Sequence, residues 1–333
     1  MHTGAPPEGA TAKNDQWPQL TLSAWQETRE ALQLWFQVVG KVRLALEPMV
    51  NHWWQVPLYV SSRGLTSSLM HTDSRGIEIE FNFVGHTLDL RSTDGRERHV
   101  QLQSGSVAAF YAETMSALSE LGVVLALFDR PVEMELAVPF HDDDRSRPYD
   151  PEAAERFWHA LIQADRVMKR FRGKFIGKAS PVHFFWGAAD LATTRFSSRP
   201  APLHPGGVPN CPDWVQQLAY SHELSSCGFW PGGSTEGSFY SYAYPQPLGF
   251  SEAQSSPTSP TTTRISGSSC SRMRRYGRRK TPMHCSCGSS RALTRRRPTW
   301  PPGTELHWKC SNDPAIDASA TAAGDARPVA FGS

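Results

Sequence analysis

Apolar residues recur at helical spacing in two long stretches and at strand spacing between them. Trp25, Leu32, Trp35, Phe36 and Val39 fall on one helical face, so the spacing predicts a helix over residues 24–46. Ser23 and Gln26 form a capping box at its start, and Pro48 marks its end. Ile77, Ile79, Phe81 and Phe83 alternate with polar residues, the period-2 signature of a half-buried strand. Gly85 and Asp94-Gly95 are turn signals, so strands near 87–91 and 98–103 continue an antiparallel meander. A further strand is predicted over 53–60. Ser106 caps a helix bearing Val107, Phe110, Leu118 and Leu121, and residues 123–128 return as a strand.

Asp150-Pro151 opens a second long helix, with a carboxylate at the N-cap and proline at the first helical position. Phe157, Trp158, Leu161, Ala164, Met168 and Phe171 form its apolar face. Strands near 182–186 and 190–196 follow, then a Pro/Gly-rich loop over 200–212 and a strand over 240–244. The second helix of this half is not found.

The two halves echo each other. Trp25, Ala31, Gly40-Lys41, His52-Trp53-Trp54 and Ser61-Ser62-Arg63 are matched by Trp158, Ala164, Gly173-Lys174, His183-Phe184-Phe185-Trp186 and Thr193-Thr194-Arg195. The fold expected is α+β: two similar units of helix and antiparallel sheet, over 17–140 and 141–250, packed as one pseudo-twofold body. Residues 1–16 and 251–333 are expected to be disordered.

Composition changes this picture mainly at the C-terminus. Residues 251–333 hold 13 of the 34 Lys/Arg but only 5 of the 32 Asp/Glu, which leaves residues 1–250 with a net charge of about −6. The body therefore gives no reason to expect nucleic acid, which would become a partner only through a genuine basic tail. In the tail hydrophobic periodicity disappears. Regrouping permissible codons of Thr262 to Cys310 in another frame yields a capped, amphipathic helix, so the tail reads as frameshifted. On that reading the tail residues His284, Cys285, Cys287, His307 and Cys310 are an accidental set rather than a zinc site. No apolar run reaches the ~18–20 residues of a membrane span. The N-terminus lacks a signal-like apolar segment, and Cys211 and Cys227 are the body's only cysteines. A cytoplasmic protein with reduced thiols is expected.

The runs Asn51-His52-Trp53-Trp54-Gln55-Val56-Pro57-Leu58-Tyr59, Ser180-Pro181-Val182-His183-Phe184-Phe185-Trp186-Gly187 and Tyr220-Ser221-His222-Glu223-Leu224-Ser225-Ser226-Cys227-Gly228-Phe229-Trp230-Pro231-Gly232 resemble an uncharacterised bacterial family, domain of unknown function 5996. The resemblance covers about residues 17–250. It implies a helical C-terminus, from which this tail departs, and it carries no activity.

Function is therefore argued from residues. Lys41, Arg63, Lys174 and Arg195 would converge on the pseudo-twofold axis to hold an anion, with His52 and His183 exchanging protons and Trp54, Trp186 and Trp230 walling the cleft. The leading expectation is a binding protein or enzyme for a small anionic or aromatic metabolite. The plain alternative makes each His a strand cap and each Arg the partner of a neighbouring acid. A second expectation is a metal-dependent hydrolase with His204 and His222 as ligands, Asp190 and Cys227 as further ligand types nearby, and Glu223 as base. No tight ligand spacing supports it. Cys227 as a nucleophile lacks the strand-turn-helix context that such a role needs. The third expectation is an interaction module without chemistry.

Overall fold

The computed structural model describes residues 17–232, 236–248 and 250. The expectations for the N-terminal 16 residues and for the tail, including its frame, lie outside the described residues.

The first predicted helix is α1, Leu22–Leu46. It starts at Thr21 without a side-chain cap, so the predicted Ser23/Gln26 box is not used. From Leu34 to Arg43 every residue is buried, which makes α1 a central helix rather than an amphipathic surface one. Its buried polar side chains must find partners there. Gln37 clamps the backbone of Val132 in both directions, donating Nε2 to the carbonyl at 3.0 Å and accepting the N–H at 2.7 Å. Arg43 donates Nη1 to the carbonyls of Pro57, at 2.6 Å, and Ser67.

Around α1 the chain forms two antiparallel sheets. The first joins β1 (Tyr59–Val60), β2 (Gly64–Thr66), β4 (Gly76–Asn82), β5 (Thr87–Ser92) and β6 (Glu97–Gln101) in that order, with β3 (Met70–His71) also paired to β4. The second runs in the order β10 (Ser238–Tyr244), β9 (His222–Trp230), β8 (Asp190–Pro200), β7 (His183–Phe185). Leu58 and Phe184 exchange backbone hydrogen bonds at 3.0 and 2.9 Å, tying the first sheet's β1 end to β7. Helix α2 (Val107–Glu120) is capped by Ser106, and α3 (Pro151–Gly173) by Asp150, as their sequences predict. A short α4 (Asp213–Ala219) precedes β9.

One core serves both sheets. The Phe36 ring meets Phe81 at 4.9 Å and Phe184 at 5.1 Å, and Phe157 of α3 stacks on Trp25 at 5.1 Å. The α+β class stands. The echoed positions nevertheless differ in local structure: Lys41 lies inside α1 but Lys174 follows α3, and His52 sits in a turn but His183 in β7. Residues 123–128 are not a strand, because no sheet edge meets them; Val124 and Phe128 face solvent. Most of 53–60 is turn, and only its last two residues pair in a strand. No helix among the described residues is long and apolar enough to cross a membrane.

Candidate functional site

The register of the second sheet sorts its side chains onto two faces, because successive residues of a strand point to opposite sides. Phe184, Leu191, Phe229 and Phe239 share the face packed on the core and are all buried. The other face carries His183, Asp190, Ala192, Thr194, Ser226, Gly228, Tyr240 and Tyr242. An apolar covering would be the ordinary solution for such a face, yet His183, Asp190 and Ser226 are buried on it.

Two segments, the irregular 121–139 and 201–221 with its short helix α4, lie over this polar face. They are tied to each other by Glu133 N–H to the Pro209 carbonyl at 2.9 Å and Asn210 Nδ2 to the Met134 carbonyl at 2.6 Å. They are tied to the sheet by a 3.3 Å bond between the Tyr220 and Tyr242 hydroxyls and by Tyr244, which donates to the Pro202 carbonyl at 2.8 Å. The polar face beneath them is the candidate groove. Across its floor run His183, Ala192, Gly228 and Tyr240, one from each strand. A Cβ on Gly228 would come 2.3 Å from the Tyr240 Cζ and hydroxyl, so the bare glycine lets the phenol lie across β9. The Tyr240 hydroxyl then donates to Asp190 Oδ2.

The charge of Asp190 reaches a second acid, Glu133. Burial raises the Asp190 carboxyl to about 6, against the opposing effect of the Tyr240 hydrogen bond. Burial and then the charge of Asp190 push Glu133 up to about 7. Glu133 nevertheless keeps part of its surface exposed to solvent. Its backbone is left-handed, φ 60°, a conformation rare outside glycine and asparagine. The Gln37 clamp on Val132 and the bond to Pro209 hold it there. Its carboxylate lies against Gly187, where a Cβ would come 2.5 Å from Oε1.

On the far side of Glu133, burial pushes the Cys211 thiol up to about 12, with Glu133 adding to the effect and Lys41 opposing it. Such a thiol stays protonated and is no nucleophile at neutral pH. Burial lowers Lys41 to about 8, partly offset by Cys211 and Asp129. Its ammonium sits 5.0 Å over the Phe128 ring.

Of the residues singled out in the sequence, His52, Trp54 and His183 come together: the Trp54 ring is 4.9 Å from His52 and 5.5 Å from His183. Trp230 lies on the groove face beside Asp190 and donates Nε1 to the Ala188 carbonyl at 3.1 Å. Trp186 is instead a buried strut, donating to the Val56 carbonyl at 3.0 Å. The four cations do not build one cleft. Arg63 and Lys174 are exposed. Arg195 lies on the packed face, with its guanidinium 3.4 Å from the Phe171 ring centroid and Nη2 bonded to the Phe171 carbonyl.

The hydrolase residues are also separately engaged. His222 is exposed. Glu223 Oε2 accepts from Arg199 Nε at 2.6 Å and Ser197 Oγ at 2.8 Å. His204 accepts the Gly206 N–H on Nδ1 at 3.1 Å and stacks on Tyr220 at 4.5 Å. Among the described residues no group of three or more His, Cys, Asp or Glu is placed to hold a metal ion. Cys227 falls on the packed side of β9 by register.

Glu133, Tyr220, Tyr240 and Tyr242 are site residues that sequence reasoning missed. The Tyr240-x-Tyr242-x-Tyr244 alternation was the available signal for one aromatic strand face; a lone Glu133 in an irregular segment offered none.

No curated protein and no solved structure matches this chain. A family model does match, over residues 17–268, extending past residue 250 where the sequence resemblance stops. The three motif runs that carry the resemblance supply β7, β9 and the turn before β1, and with them His52, His183 and Gly228 of the groove and its approach. The chain belongs to the Family of unknown function (DUF5996).

Proposed function

We propose that this protein binds a small aromatic or hydroxylated metabolite in the groove over β8, β9 and β10 and exchanges a proton with it through Glu133 and Asp190. The observation that carries this reading is a buried carboxyl, Asp190, held by Tyr240 on the sheet face the core does not use. Burying an ionisable group is costly, and strongly perturbed acids concentrate at sites of chemistry. With carboxyls drawn up to about 6 and about 7, one acid of the pair carries a proton near neutral pH while the other is ionised. That is the state a general acid and base require. Tyr220, Tyr240 and Tyr242 are half-buried, so they offer ring faces for an aromatic ligand and hydroxyls to orient it.

The test is a melting-temperature screen of phenols, hydroxylated aromatic acids and sugars against the wild type, Asp190→Asn and Gly228→Ala. A true ligand at about 100-fold its Kd raises the wild-type Tm by about 5–10 °C. Asn removes the titrating group, and the added methyl at residue 228 displaces Tyr240, so both variants should lose most of the shift. A ligand whose shift survives in both would place binding elsewhere, and a panel without any shift removes the reading's support.

A further inference from the structure

The other end of the polar face carries a second arrangement, which does not depend on the acid pair. His183 is 1% exposed and its Nδ1 has no hydrogen-bond partner. A buried polar atom left unpaired costs about 1–3 kcal/mol unless something satisfies it. The ring is fixed by aromatics on three sides: Trp54 at 5.5 Å, Tyr59 at 5.7 Å and Phe185 at 5.4 Å. Trp54 also meets His52 edge-on at 4.9 Å. The turn bearing these residues is tied by Trp54 N–H to the Val50 carbonyl at 2.8 Å and Val50 N–H to Gln55 Oε1 at 3.1 Å.

The electrostatic surroundings have one sign. The groups acting on His183 are His52, Arg43 and Arg172, with no carboxylate among them, and burial with their repulsion holds the imidazole neutral, down to about 4. The Arg43 guanidinium lies 5.8 Å from the Tyr59 ring centroid, and its Nε is buried without a partner. Glu47, the acid whose charge reaches Arg43, spends Oε1 on the His71 N–H at 3.0 Å. Arg172 donates Nε to the Ser180 carbonyl at 2.5 Å, a neutral partner that leaves its charge uncompensated. Two neutral imidazoles, each able to offer an N–H, thus flank the Trp54 ring, and the charges of two arginines reach His183.

We infer that the pocket between His52, Trp54 and His183 is an anion-binding site, taking a carboxylate or phosphate group through the imidazole N–H donors in the field of Arg43 and Arg172. The anion expected from the sequence is thereby assigned to cations other than the four first singled out. A planar acid suits the site best, because the Trp54 and Tyr59 rings that meet His183 offer it aromatic contacts.

The experiment is titration of the full chain with benzoate and, separately, inorganic phosphate, followed by tryptophan fluorescence and calorimetry up to about 20 mM. Saturable binding of benzoate but not phosphate supports the inference and identifies the source as an organic acid; the reverse supports it and identifies a phosphate ester. His183→Phe keeps a ring and removes both nitrogens, and should weaken binding at least about tenfold. Arg172→Met, a change at an exposed position, gives up the bond to the Ser180 carbonyl and should weaken anion binding several-fold in a protein that still folds, so the inference stays testable if the buried variant fails to fold. Asp190→Asn should leave anion affinity within about twofold, which separates this site from the acid pair. Absence of saturable binding by either probe, or binding unchanged in Arg172→Met and His183→Phe, overturns it.

Discussion

Replacing Asp190 with Asn should stabilise the protein relative to wild type as pH rises, by about 2 kcal/mol between pH 4 and pH 7.5. Asp190 titrates near 3.8 when unfolded and at about 6 in the fold. Between those values the folded state holds more protons than the unfolded one, so this residue's contribution to stability is fully present below about pH 4 and is lost as pH rises through about 6. Asn does not titrate and still offers Tyr240 an acceptor, so it escapes that loss. Glu133, raised to about 7, acts in the same direction up to a higher pH. The two histidines act oppositely. Their folded values of about 4 lie below the ordinary imidazole value of 6.5, so their contribution is present above 6.5 and lost as pH falls toward 4. The wild-type profile should accordingly look shallow through this window, and the subtraction of variant from wild type reveals the acid. Urea unfolding of both proteins at pH 4 and pH 7.5 measures it. A difference that is the same at both pH values would show that Asp190 ionises normally in the fold.

Trp186→Ala should cost about 3–5 kcal/mol, the range for removing a large buried aromatic. Trp186 is 3% exposed and lies so close to α1 that a Cβ on Gly40 would stand 2.2 Å from its Cε2. The indole also satisfies the Val56 carbonyl, which the shortened side chain would leave unpaired next to the strand that joins the sheets. Gly40→Ala should be destabilising from the opposite side, by forcing the indole away from the helix. Because the two changes share one contact, the double variant should lose less than the sum of the singles. Urea midpoints of the four proteins close the cycle. A Trp186→Ala loss under about 1 kcal/mol, or strict additivity, would mean that this contact does not hold the helix to the sheet.

The elements with a clean period were legible. α1, α3 and the β4–β6 meander follow from apolar spacing and caps, and Ile77, Ile79, Phe81 and Phe83 are all fully buried as their alternation requires. β9 was missed although it is a central strand. Its sequence, His222-Glu223-Leu224-Ser225-Ser226-Cys227-Gly228-Phe229-Trp230, holds no β-branched residue, and small or polar residues interrupt both of its faces, Ser226 and Gly228 between Leu224 and Trp230 on the groove side and Ser225 and Cys227 before Phe229 on the other. With apolar and small polar residues mixed on both faces, the alternation that announces a strand is lost. Residues 123–128 fail the other way: the alternation is present, but strands need an edge to pair with, and sequence periodicity does not supply one. His52, Trp54 and His183 were found through their clustering in two motifs. The Glu133–Asp190 pair was not, since its members lie 57 positions apart and meet only through the Gln37 clamp and the bare Cα of Gly187.

The reciprocal hydrogen bonds between Leu58 and Phe184 reach beyond architecture. They close, against each other, what would otherwise be two open strand edges of the same molecule. A fragment cut in the 141–150 segment would expose both edges, together with the Phe36 and Phe184 faces that meet in the shared core. Unpaired edges of this kind recruit other chains, so each half expressed alone should self-associate, while co-expressed halves should recombine into a heterodimer with the groove restored.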